Sequence, residues 1–281
     1  MGALSIMSLL HAALLAIVQG FTEFLPISSS AHLAMMPWLL RWADQGLTFD
    51  IALHFGTLAA VVVYFFRDWL QIGAQAFGLP YRPSPELAKN PRLLWLLMAA
   101  TVPVGAAGLA LKDYVETTLR NPYVIGGMLI AVGLLMGWAD RVSRREKDIG
   151  AIGTADALAV GAAQALAIVP GTSRSGITIT VGLLRGIDRE AAARFSFLLS
   201  TPAIAGAALK AWLEVAEQGG VAPEMWGPFL VGVGVSALTG CLVIGFFLKF
   251  LRRHTLRFFV AYRVIFGIIL IALAVFRHPT G

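Results

Sequence analysis

Charge and cysteine are the two things this 281-residue chain has least of: 14% of its residues are charged and it carries one cysteine, Cys241. Soluble globular domains carry about 25% charged residues, so a soluble enzyme, a disordered chain and a coiled coil are all excluded by composition. A lone cysteine excludes an intramolecular disulfide framework and any zinc or iron–sulfur cluster built on cysteines. Acidic residues are the scarcer sign, 16 Asp and Glu against 22 Lys and Arg, for a formal charge of +6. In a chain this apolar, such a surplus sets membrane orientation before it points to nucleic acid, and no nucleic-acid partner is expected. Hydrophobic residues fill the space left by charge, at 58% and a mean hydropathy of +0.76. The class that fits is an integral membrane protein.

Apolar stretches at 49–66, 94–111, 123–139, 195–213, 226–248 and 258–276 each approach the roughly 20 residues that a helix needs to cross the hydrocarbon core. Six crossings are therefore expected. Two more apolar regions, 5–40 and 155–184, are interrupted at Pro26-Ile27-Ser28-Ser29-Ser30 and at Pro170-Gly171-Thr172-Ser173-Arg174-Ser175-Gly176. Irregular backbone at membrane depth is tolerated only inside protein or beside a watery cavity, so each region reads as two half-helices meeting at a loop, a re-entrant hairpin. The alternative, a proline kink in one continuous crossing helix, remains open for either region.

The two breaks resemble each other. Pro26-Ile-Ser-Ser aligns with Pro170-Gly-Thr-Ser, and Gln19 and Gln164 precede them at spacings that differ by one residue. The expected architecture is all-α and polytopic: repeat 1 over 1–145 and repeat 2 over 146–281, each with one re-entrant hairpin and three crossings. An odd number of crossings inverts the second copy, which lets the hairpins approach near the midplane. On this topology fifteen basic residues fall on one side, among them Arg67, Arg141, Arg145, Arg189 and Arg257. Five fall on the other, Arg41, Lys112, Arg120, Lys210 and Arg277, while Arg174 and Arg263 lie within apolar segments. The positive-inside rule puts the fifteen in the cytoplasm and both termini outside. The first basic residue is Arg41, so a cleavable signal pattern is not expected.

An ionisable group inside the membrane is expensive and marks a site by default. Gln19 and Glu23 share a helix face four residues apart, and Ser28, Ser29, Ser30 and His32 follow the break. A hydroxyl nucleophile needs a base, which Glu23 or His32 could supply; spacing leaves open whether Ser29 or His32 attacks. The serines equally suit helix capping. The second break sets Thr172, Ser173, Ser175 and the fixed charge of Arg174 at the start of a half-helix, where free amides and the dipole favour an anion. This is a phosphate cradle in composition, though not a Walker loop, whose lysine is absent. His54 and Arg263 are also intramembrane and are expected to pack or snorkel rather than line the site. Trp38, Trp69 and Trp138 sit where interfacial anchors are expected.

Taken together, Gln19-Gly-Phe-Thr-Glu23-Phe-Leu-Pro-Ile-Ser-Ser-Ser-Ala-His32 and Pro170-Gly-Thr-Ser-Arg-Ser-Gly176 resemble the two signature motifs of the bacterial undecaprenyl-diphosphate phosphatase, or bacitracin-resistance, family. The resemblance covers essentially the whole chain. It implies an enzyme of the bacterial cytoplasmic (inner) membrane that hydrolyses undecaprenyl diphosphate to undecaprenyl phosphate and inorganic phosphate. That reaction recycles the lipid carrier for peptidoglycan synthesis and confers bacitracin resistance. Also implied are inverted repeats, a mouth on the outer (periplasmic) face, a polyprenyl diphosphate lipid substrate among membrane lipids, and a divalent cation, Mg or Ca, with Glu23 as its carboxylate. The family's other carboxylate position is Gln19 here. The expected roles are Ser29, Glu23, His32 and Arg174 in catalysis, and Gln19, Ser28, Thr172, Ser173 and Ser175 in substrate binding, with a homodimer as a candidate assembly. A transporter or lipid flippase is the competing reading, since inverted repeats with broken helices also build transporters.

Overall fold

The computed structural model describes residues 8–40, 42, 46–81, 83–217 and 219–277. Residues 5–7 of the first apolar region, Arg41, Arg82 and the side chains of Trp38, Lys112 and Arg277 lie outside the described residues. The described chain is helical: α1 (Leu9–Phe24), α2 (Ser29–Leu40), α3 (Gly46–Tyr64), α4 (Phe66–Ala76), α5 (Pro85–Ala88), α6 (Leu93–Tyr114), α7 (Pro122–Val142), α8 (Thr154–Ala165), α9 (Arg174–Leu184), α10 (Arg189–Glu217), α11 (Trp226–Leu251) and α12 (Arg257–Arg277). Among the described residues, five helices are long and apolar enough to cross a membrane, or six when Thr48–Tyr64 and Phe66–Ala76, bent by 72°, count as one broken span. The chain is thus an all-α, multi-pass membrane protein, and each of the six expected spans falls on one of these helices.

Both interrupted regions fold as pairs of short helices, α1 with α2 and α8 with α9. Around them, α1 and α3 both pack on α11, α6 packs on α8, α3 on α10, and α7 on α12. Helices in lipid gain little from hydrophobic exclusion and associate through close packing, so small residues mark their crossings. At the crossing of α7 and α12, a Cβ on Gly267 would fall 2.7 Å from the Gly126 carbonyl, and one on Gly126 would fall 2.9 Å from the Gly267 carbonyl. Any side chain there would push the helices apart. Phe24 meets Phe197 edge-on at 5.4 Å, which ties α1 to α10 in the core, while Val63, Leu109 and Phe276 point outward as lipid-facing residues do.

Candidate active site

The site begins where α1 stops. Proline has no N–H to continue a helix, so after Phe24 the chain turns through Leu25, Pro26 and Ile27 before α2 starts at Ser29. Ser28 takes φ +77°, a left-handed conformation uncommon outside glycine, and its Oγ accepts from the Ala31 amide at 3.4 Å and contacts Ser30 Oγ at 3.1 Å. The second break repeats this. Ser173 takes φ +69°, its Oγ accepts from the Gly176 amide at 3.1 Å and contacts Ser175 Oγ at 3.3 Å. Sequence pairs Pro26 with Pro170, but the hydrogen bonds pair Ser28 with Ser173. That is the register Gln19 and Gln164 already keep.

Arg263 locks the two turns together. Wholly buried, it donates from Nη1 to the Pro26 carbonyl at 3.1 Å and from Nη2 to the carbonyls of Gly171 and Thr172, both at 3.0 Å. Its Nε donates to the Leu129 carbonyl at 3.2 Å. The expectation of snorkelling is corrected: carbonyls stripped of helical partners at membrane depth need donors, and a five-donor guanidinium supplies them where it sits. Ser175 Oγ adds a donation across the break to the Leu25 carbonyl at 3.0 Å.

With the turns pinned, Glu23 and Arg174 meet across them, Nη2 to Oε1 at 3.0 Å. The other carboxylate oxygen, Oε2, accepts from Ser29 Oγ at 2.6 Å and from Gln19 Nε2 at 3.1 Å. Arg174 also donates to the Ser196 carbonyl at 3.4 Å. One carboxylate therefore holds a hydroxyl on one oxygen and a guanidinium on the other. His32 turns elsewhere: Nδ1 lies 2.7 Å from the Ser28 carbonyl and Nε2 lies 2.6 Å from Tyr262 Oη. A carbonyl only accepts, so Nδ1 carries a proton there, and Nε2 shares the second hydrogen bond with Tyr262 Oη. Among the described residues, Thr172 Oγ1 and Gln19 Oε1 are buried with no hydrogen-bond partner.

A cavity of about 250 Å³ opens onto Ser29, Gln19 and Ser30, with His54, Asp50 and Arg120 on its other walls. His54 thus lines the site rather than packing away from it. Its Nδ1 lies 2.7 Å from the Asp50 carbonyl, the placement of a donor. Sequence reasoning passed over Asp50, Arg120 and Tyr262. The first two lie near helix ends without a motif, and Tyr262 is one aromatic in an apolar helix; only the four-residue spacing of Asp50 and His54 on α3, which puts them on one face, gave a signal.

Residues 12–269 match the family described as "Bacitracin resistance protein BacA". The chain belongs to this family. Among curated relatives, the undecaprenyl-diphosphatase of Trichlorobacter lovleyi is 49% identical over 268 residues, covering 95% of this chain and 97% of that protein. The undecaprenyl-diphosphatase of Moorella thermoacetica is 45% identical over 266 residues, 95% of this chain and 98% of its own. A third, undecaprenyl-diphosphatase 2 of Stutzerimonas stutzeri, is 47% identical over 270 residues, 95% and 98% respectively. Family membership spans both broken hairpins and the clamp residue Arg263.

Proposed function

We propose that this family member hydrolyses undecaprenyl diphosphate to undecaprenyl phosphate and inorganic phosphate at the cluster of Ser29, Glu23 and Arg174. The observation that carries this reading is the 2.6 Å hydrogen bond from Ser29 to a carboxylate whose other oxygen is bound by Arg174. In the first step Ser29 Oγ attacks the terminal phosphorus and its proton passes to Glu23 Oε2. The bond from that phosphorus to the bridging oxygen breaks, and undecaprenyl phosphate leaves with the electron pair. The proton on Glu23 passes to the departing phosphate and restores the carboxylate. In the second step water attacks the phosphoserine and gives a proton to Glu23, and the serine Oγ leaves and takes that proton. Inorganic phosphate is released.

Negative charge spreads over the transferring oxygens, so fixed donors contribute most of the rate. Arg174 faces them with a planar fork, and α2 and α9 both begin at the site, with amide ends that favour an anion. Thr172 Oγ1, buried and without a partner among the described residues, is a donor for a phosphate oxygen. Ser173 and Ser28 shape the turns and His32 with Tyr262 holds the Ser28 carbonyl, a positioning role. Among the described residues no three His, Cys, Asp or Glu side chains gather around a common point, so a divalent cation would rest on the substrate's phosphates, with Glu23 and the unpartnered Gln19 Oε1 as its protein oxygens. Hard cations use few carboxylates plus phosphate oxygens in this way. Such a cation supplies neutralisation of diphosphate charge.

The inverted-repeat division at 145/146 is part of the same proposal, supported by the matching turns at Ser28 and Ser173 and by the exchange of α1 on α11 for α8 on α6. So is the setting: the cytoplasmic membrane of a bacterium, with termini and cavity mouth outside, supported by the arginines crowding the opposite end. Release of phosphate from undecaprenyl or farnesyl diphosphate by purified protein in detergent tests the reaction. A transporter would release none, because a micelle has no second compartment.

A further inference from the structure

A second cavity among the described residues, about 680 Å³, lies away from the reacting cluster. It is a groove between α7 and α12 at the arginine-rich end of the molecule, lined by Arg141, Arg145, Arg189 and Arg257 and by Trp138 and Val260 among its apolar residues. Its chemistry is graded along its length. Along α7 the wall runs from Leu134 past Trp138 to Arg141, and along α12 from Val264 past Val260 to Arg257. Each run spans eight residues, about 10 Å of helix, apolar at the membrane end and cationic at the other. Leu134 and Trp138 are more than half exposed, so the apolar part opens sideways to lipid.

The charge at the cationic end is not consumed internally. Asp140 is the only acid on the wall. Its Oδ1 accepts from Arg189 Nε at 2.5 Å, its Oδ2 from the Leu256 amide at 3.1 Å, and its carbonyl from Arg145 Nη2 at 2.7 Å. That carboxylate fixes the frame of the groove, and its single negative charge is paired with Arg189. Four arginines against one aspartate leave a net +3 on the wall. Arg141 and Arg257 are exposed and make no hydrogen bond or ion pair among the described residues.

From this segregation of free cations above an apolar, laterally open slot, we infer that the groove between α7 and α12 binds an anionic glycerophospholipid. The phosphodiester sits among Arg141, Arg257 and Arg145, and one acyl chain lies against Trp138, Val260 and Leu134. Basic pockets between membrane helices recognise anionic headgroups on the same grounds, and nothing in the reaction proposed at Ser29 requires this second site. Charge complementarity chooses the headgroup and the sideways opening chooses a lipid over a soluble phosphate.

Native mass spectrometry of the delipidated protein, titrated with phosphatidylglycerol and with phosphatidylcholine of identical chains, tests this. Phosphatidylglycerol is expected to be retained about 10- to 30-fold better, as two arginines near a membrane surface allow. Arg141→Ala with Arg257→Ala brings the two lipids to within about threefold of each other, and Arg141→Lys with Arg257→Lys keeps most of the preference. Arg144→Ala with Arg253→Ala removes the same charge from exposed arginines outside the groove and leaves the preference intact. Equal retention of the two lipids by the unsubstituted protein overturns the inference. So does an equal loss in the Arg144 and Arg253 variant, which would assign the preference to surface charge in general. Displacement of the lipid by glycerol phosphate at matching concentration would make this a soluble-phosphate site and overturn it as well.

Discussion

Ser29 and Glu23 are six residues apart and stand on opposite sides of a proline break, yet the Ser29 hydroxyl donates to Glu23 Oε2 across 2.6 Å. On an unbroken helix, residues six apart diverge, because the turn repeats every 3.6 residues. The break is what brings a hydroxyl to a base. It also brings Arg174, from a second break far along the chain, to the other oxygen of the same carboxylate.

Removing either end of that hydrogen bond tests its role. Glu23→Gln keeps the shape and loses the base, and phosphate release from farnesyl diphosphate is expected to fall about 10²–10⁴-fold. Ser29→Ala is expected to fall at least as far, on the order of 10³-fold, since no other hydroxyl lies on Oε2. Turnover within about threefold of the unsubstituted enzyme in Ser29→Ala would exclude the phosphoserine path.

Arg174 serves both the carboxylate and the proposed phosphate. Arg174→Ala should lower turnover by about 10³-fold or more and also destabilise the protein, because a buried carboxylate that loses its partner costs about 3–5 kcal/mol. Arg174→Lys keeps a charge without the fork and should fall between. Thermal unfolding in detergent beside the turnover assay separates the two effects. An active, fully stable Arg174→Ala would remove it from the site.

For His32 the expectation is smaller, because both ring nitrogens are committed to Ser28 and Tyr262. His32→Asn and Tyr262→Phe should each cost about tenfold or less in turnover and leave the pH profile unchanged in shape. Loss of a limb near about pH 6.5, the ordinary histidine range, in His32→Asn alone would put His32 on the proton path.

Chelation tests the cation. Stripping divalent ions with EDTA should lower phosphate release more than about tenfold, and Mg²⁺ or Ca²⁺ should restore it. Undiminished turnover after stripping would leave charge neutralisation to Arg174 and the helix ends alone.

Arg263 is tested by stability first. Arg263→Met leaves the carbonyls of Pro26, Gly171, Thr172 and Leu129 without this donor, and each unsatisfied buried group costs about 1–3 kcal/mol. A loss of about 3–5 kcal/mol in total is expected once the site relaxes, with activity falling in step, and Arg263→Lys should recover part of both. An Arg263→Met protein with unchanged unfolding temperature would show that the turns hold themselves.

Membership of the membrane class, the helices under the six expected spans and the two helix breaks were legible in the sequence, because each depends on composition and on local rules: apolar length against bilayer thickness, and proline without an amide to donate. Gln19, Glu23, Ser29 and Arg174 were legible for a related reason, since a polar group at membrane depth stands out against an apolar background. Tertiary packing decided the rest. Only the fold could show that Arg263 bonds carbonyls of both turns, that His32 faces Tyr262 and not Ser29, and that His54 opens onto the cavity. All three depend on which helix lies opposite, and α12 reaches the first hairpin from more than 200 residues away. Local periodicity says which face of a helix a residue occupies, but what that face meets is set by long-range packing.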